Sequence, residues 1–112
     1  MAEIVFATPI KRGKEDLDSE TMGEIEGARR DEYVAALKDA GITRQAIWHQ
    51  QMPAGDTLAI VYIEATDSDA PQRFASSEAE INQWFAQQMR EGYGRYVSGP
   101  PLPVELISDV RV

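Results

Sequence analysis

The sequence predicts an α+β domain in which strands and helices follow the order β-α-β-β-α-β and four strands form one antiparallel sheet. Three observations carry this reading. Two β-rich runs, Arg44 to Met52 and Thr57 to Ala65, flank the turn-forming Pro53-Ala54-Gly55-Asp56, which is a hairpin signal. Helix-forming stretches follow both the first apolar run and this hairpin. The chain's 112 residues, 43% of them hydrophobic, suffice for one modest core. Residues 1–112 are therefore read as a single domain.

The elements follow in order. Glu3 to Ile10 is short, apolar and β-rich, and Lys11-Arg12-Gly13-Lys14 makes a turn after it. Glu15 to Ala40 is helix-forming and heavily charged, with Leu17, Ile25, Ala28, Ala36 and Leu37 as its apolar positions. Gly23 and Gly27 each weaken its middle by up to about 1 kcal/mol relative to Ala, which predicts a kink or two segments. Gly41 stands where a helix ends on a residue of positive φ. The run Thr57 to Ala65 is nearly all apolar, implying burial on both faces. Asp67-Ser68-Asp69 opens a turn, and Ala70 to Ala75 reads as a short helix with Pro71 in its first turn. Ser77 and Glu80 fit a capping box before the stripe Ile81, Trp84, Phe85 and Met89. Residues 93–103 read as an ordered loop and Pro103 to Val112 as a final edge strand. This is the ferredoxin-like plan, with the helices on one face of the sheet and the other face bare until something packs there.

Composition excludes several classes. Nineteen acidic against eleven basic residues give a net charge of -8, opposed to nucleic-acid binding through Lys and Arg. Without cysteine there is no disulfide, thiolate catalysis or cysteine-held metal, and one histidine cannot build a multi-histidine site within one chain. No apolar run approaches the roughly 20 residues of a membrane span, and the first residues lack a signal-peptide layout. The expectation is a cytoplasmic domain that avoids membranes and nucleic acid and uses no metal or cofactor.

The order of elements, together with residues 41–65, resembles the dimeric α/β-barrel superfamily. Within it the chain is similar to a small bacterial family that carries only a domain-of-unknown-function label. The marks are Pro9 with Gly13-Lys14, the Arg29-Arg30 and Tyr33 helix segment, the Gly41-Ile42-Thr43-Arg44 helix exit, the Pro53-to-Asp56 turn and Trp84-Phe85. The resemblance implies a homodimer whose two sheets face each other as a closed barrel. The superfamily includes cofactor-independent monooxygenases, haem-using chlorite dismutases, mutarotases and stress-responsive proteins, so the fold offers a menu of chemistries.

Candidate site residues come from the residues themselves. If Met52 pairs with Thr57, then His49, Ile47, Leu58, Ile60, Tyr62 and Glu64 share one sheet face, and Trp48 and Gln50 share the other with Ala59, Val61 and Ile63. His49, whose unperturbed pKa is near neutral, is the candidate catalytic acid or base beside Tyr62 and Glu64; its structural alternative is a satisfied strand histidine. Arg29 and Glu32 fall within the apolar stripe, as a pocket-lining pair or as an intrahelical ion pair. Trp48 and Trp84 suit either a ligand cavity or core and dimer packing. The Tyr93-Gly94-Arg95-Tyr96 segment reads as a lid or a dimer arm. Two functions follow. One is a small-molecule-binding dimer acting as a cofactor-free oxygenase or isomerase in a cleft between sheet and helices. The other is a noncatalytic dimeric structural or protein-interaction module, with haem on His49 a third and weaker option.

Overall fold

The computed structural model describes residues 1–93 and 104–112. Three strands and four helices follow in the order β1 (Ala2–Ile10), α1 (Glu15–Glu26), α2 (Arg30–Ala40), β2 (Ile42–Gln51), β3 (Thr57–Ala65), α3 (Ala70–Ser76) and α4 (Glu80–Tyr93). The sheet is antiparallel with β3 in the centre, in the order β1-β3-β2. The α+β class is therefore as expected, but the described sheet has three strands. Residues 104–112, expected to belong to the fourth, form no strand and are exposed. Of the segment Tyr93-Gly94-Arg95-Tyr96, expected to be a lid or a dimer arm, Tyr93 ends α4 and the other three residues lie outside the described residues, as does most of the 93–103 loop.

The long helical stretch is two helices, as its glycines predict. Gly27 ends α1, its N–H donating to the Glu24 carbonyl, and Arg29 caps α2. At the far end Gly41 takes φ of 89° and its N–H closes onto Leu37 and Lys38, the left-handed stop expected there. The start of α4 differs from the expected capping box. Ser77 Oγ accepts from the Ala79 N–H, while Glu80 turns away to Arg29, so the helix begins later than a Ser77 cap implies.

The hairpin loop sets the register. The Gly55 N–H donates to the Met52 carbonyl at 2.9 Å, the Met52 N–H to the Asp56 carbonyl at 2.7 Å, and Gly55 has φ of 96°. This is a three-residue loop with glycine in the left-handed position, and it pairs Gln51, not Met52, with Thr57. The one-residue difference corrects the expected faces of β2, because side chains alternate. His49 lies opposite Ala59, Ile47 opposite Val61 and Gln45 opposite Ile63, all beneath the helices. Trp48 lies opposite Ile60 and Ala46 opposite Tyr62, on the other face. His49 therefore does not share a face with Tyr62 and Glu64. A bulge at Thr43 joins this register to Ile42, which stays inward and buried.

The core fills the space between this inner face and the helices. Ile42, Val61, Ile63 and Ala65 pack under Ala40 and Ala70, with Ile4, Phe6, Leu37 and Phe74 around them. Ile10 and Ala59 pack under Met89 and Tyr93. Above them Tyr33, Phe74 and Phe85 meet in a ring cluster with centroids 5.1 to 5.9 Å apart. Strand β3 reads apolar on both faces because its even-numbered residues, Leu58, Ile60 and Tyr62, form the centre of the outer face. Val5 (45% exposed) and Trp48 (52%) flank them there.

Candidate functional site

The single histidine meets a buried carboxylate. Asp18 stands in the first turn of α1, where the helix macrodipole favours negative charge, and is 2% exposed. His49 reaches it from β2 with Nε2 2.5 Å from Oδ2, and the Tyr93 hydroxyl, from the end of α4, donates to Oδ1 at 2.5 Å. Three elements distant in sequence thus converge on one carboxylate. Burial, then the hydrogen bond and charge of Asp18, push the Tyr93 phenol well above its usual range, so it remains a neutral donor.

A carboxylate only accepts, so the nitrogen that faces Asp18, Nε2, is the donor of this contact. The imidazole is 31% exposed while the Asp18 carboxylate is 1% exposed. β2 is an edge strand, and the ring reaches from it to α1 with part of its surface open to solvent. Chemically the arrangement can serve as an oriented base when Nδ1 is unprotonated, with Asp18 beside any imidazolium that forms. The same row of the sheet carries Thr8, whose Oγ1 is buried without a hydrogen-bond partner among the described residues. Among those residues no group of three or more His, Asp or Glu is arranged to hold a metal ion.

The other candidates disperse. Tyr62 and Glu64 do come together, on the outer face: the phenol donates to Glu64 Oε1 at 2.8 Å and lies 3.3 Å from Glu3. Arg44 stacks 5.5 Å from the Tyr62 ring and 3.7 Å from Glu64. The Glu64 hydrogen bond above all pushes the Tyr62 phenol up to about 12. Of the two expectations for Arg29 and Glu32, the structure shows the intrahelical ion pair, at the start of α2 after the break at Gly27. Arg29 caps α2, lies 4.4 Å over the Trp84 ring, pairs with Glu80 and reaches Glu32 at 3.4 Å. It clamps α2 to α4, with Trp84 half-buried beneath it. Glu32 is exposed. Trp48 stands alone of the site candidates at the outer edge of the open face.

Sequence reasoning missed Asp18 and the role of Tyr93. A signal for Asp18 exists, since positions 18, 21, 22 and 25 keep helical spacing and include Met22 and Ile25. The buried face of α1 is that one, Asp18, Thr21 and Ile25. An aspartate on a buried stripe demands partners. Comparison of the chain with known protein families, with curated proteins and with solved structures returned no match.

Proposed function

We propose that the chain is a small-molecule-binding homodimer in which His49, oriented by Asp18, moves a proton on a bound substrate. The observation that carries this reading is the Asp18–His49 contact. A buried carboxylate holds one nitrogen of a partly exposed imidazole and leaves the other nitrogen without a protein partner among the described residues. Isomerisation suits this arrangement better than oxygenation, because a single oriented base with a positioned substrate suffices for it. The reaction belongs to the cleft between sheet and helices and calls on no cofactor.

The assembly in this reading is the ferredoxin-like one. Residues 104–112 add to the open edge of β1 as the fourth strand, and two sheets close face to face as a dimeric α/β barrel. Three features support it: the apolar centre of the outer face at Leu58, Ile60 and Tyr62, the half-exposed Val5 and Trp48, and exposed Leu106, Ile107 and Val110 at 76%, 83% and 82%. A contact of 4.0 Å between the exposed side chains of Arg111 and Glu3 adds some support for that edge. The competing reading is a noncatalytic dimeric module, favoured by the complete pairing of Asp18, which a purely structural polar cluster also needs.

Native mass spectrometry of the purified protein, beside a denatured spectrum, tests the assembly. A dimer of about 25 kDa, twice 12.5 kDa, is expected, and a monomer at micromolar concentration overturns the barrel. Extra mass lost on denaturation, and lost in His49→Ala with only the modest fall in melting temperature that a loss of about 1 kcal/mol implies, supports the small-molecule reading. A His49→Ala protein that retains the adduct but melts much lower supports the module instead.

A further inference from the structure

The Asp18 carboxylate is held at both of its oxygens, and the second holder is Tyr93. Tyr93 closes α4 and is 5% exposed, packed with Ile10, Ala59 and Met89. One residue earlier, the Gly92 carbonyl accepts from the Lys11 N–H at 2.8 Å, which pins the end of α4 to the end of β1. From this anchored position the phenol donates to Asp18 Oδ1, while His49 Nε2 meets Oδ2. Burial, then Asp18 itself, opposes ionisation of the phenol, so it stays a donor.

The need for a second donor follows from the aspartate side chain. Its χ2 torsion is broad and roughly two-fold, so one hydrogen bond alone leaves a carboxylate free to rock about its axis. The Asp18 side chain is 1% exposed, which keeps bulk water from taking the place of the phenol at Oδ1. His49, by contrast, is partly open to solvent, and its one side-chain hydrogen bond among the described residues is to Asp18. A carboxylate orients an imidazole only as well as its own plane is held.

We propose that Tyr93 is a positioning residue for the His49 base: its hydroxyl fixes the plane of Asp18, and the fixed carboxylate fixes the ring. This rests on the reading of His49 as a proton carrier and adds to it a residue of α4 that acts through Asp18. Tyr93→Phe removes the hydroxyl alone, keeps the ring among Ile10, Ala59 and Met89, and frees Asp18 to turn.

The chain has one histidine, so its ring resonances are unambiguous. Long-range ¹H–¹⁵N correlation spectra of the full-length protein, recorded with the ring neutral, report which nitrogen carries the proton. The unsubstituted protein should show the Nε2–H tautomer almost exclusively. Tyr93→Phe should lower the tautomer ratio several-fold, toward that of a free imidazole. Tyr33→Phe is the control. It removes another buried hydroxyl, bound at 2.9 Å to Gln45 on the same strand as His49, and should leave the ratio unchanged. Unmoved His49 nitrogens in Tyr93→Phe overturn the positioning role and leave the proton-transfer reading standing. An equal change in Tyr33→Phe also overturns it, because general loosening then accounts for both. A free-imidazole mixture in the unsubstituted protein overturns the Asp18–His49 arrangement itself, and the proton-transfer reading with it.

Discussion

Gly41 and Thr66 meet so closely that a methyl group on the glycine would lie 2.5 Å from the threonine hydroxyl. The Thr66 N–H donates to the Gly41 carbonyl at 2.8 Å, tying the exit of α2 to the end of β3. Gly41→Ala therefore adds a steric conflict to the left-handed backbone, whose own cost for alanine is about 1 kcal/mol. Arg73 Nη2, 3.0 Å from the same point and held by Asp67, hinders relief. A loss of about 2–3 kcal/mol is expected in urea unfolding. Gly13→Ala, at φ of 84° with nothing within 4 Å, should lose only the backbone part, about 1 kcal/mol. Equal losses at the two positions would show that packing at Gly41 is irrelevant.

Replacing Asp18 should grade with the partners left behind. Asp18→Ala strands both the Tyr93 hydroxyl and His49 Nε2 and is expected to cost about 3–5 kcal/mol. Asp18→Asn keeps an acceptor and should cost less. His49→Ala, with its ring partly exposed, should cost about 1 kcal/mol. Chemical denaturation of the three variants checks the order; His49→Ala as the most damaging would contradict it.

Tyr33 and Tyr93 link stability to alkaline pH. Burial above all holds both phenols above their ordinary value of 10.0 in the folded chain. The unfolded chain therefore releases these protons first as pH rises. The contribution is fully present below pH 10.0 and is lost as pH climbs from there toward the folded values. Tyr33→Phe should flatten part of the unfolding free-energy slope above that pH, and also lose about 1 kcal/mol at neutrality with its 2.9 Å bond to Gln45. An unchanged alkaline slope would remove Tyr33 from this account.

Asp67 acts at the opposite limit. Its hydrogen bonds to Arg73, then to the Asp69 N–H, lower its carboxyl from 3.8 to about 2. The stabilisation is present above pH 3.8 and disappears as pH falls toward about 2. Both partners are near half exposed, so solvent and salt screen the effect. Asp67→Asn should shallow the acid limb of a melting-temperature profile at low salt, and the difference should shrink at high salt. A difference that survives high salt would argue for a structural change instead.

Trp48 tests the face-to-face assembly. Half exposed beside Ile60, it has little to lose in an isolated subunit, so Trp48→Glu should leave the circular dichroism spectrum intact. In the barrel it would bury a charge against a second sheet. Sedimentation velocity at micromolar concentration should show monomers; a dimer of unaltered strength would move the interface elsewhere.

The order of elements was legible because each carries local chemistry: Gly41 stops α2, Gly27 separates two helices, and Ile81 and Met89 keep a buried stripe on α4. The faces of β2 were not. Pro53-Ala54-Gly55-Asp56 reads equally as a four-residue connection or as a three-residue loop followed by a paired Asp56, and one residue decides which way His49 points. The site was half legible for a related reason. His49, Tyr62 and Glu64 stood out by type, but Asp18 is one acid among nineteen and only its place on a buried helical face distinguishes it. Residues 104–112 alternate like a strand, yet alternation supplies no partner edge, and in the single chain they stay unpaired.

The bulge at Thr43 gives the join between α2 and the hairpin one residue of slack. The hairpin dictates which side chains of β2 face inward, and the helix exit adapts to it. Loss of Thr43 would leave Ile42 opposite Ala65, now in regular succession with Arg44 opposite Glu64, and His49 and Trp48 would keep their faces. A residue added between Trp48 and Gln51 has no such refuge: it must either bulge beside the site or exchange inside for outside along the strand. Variation in chain length is therefore tolerated at one end of β2 and disruptive at the other, a few residues from the histidine.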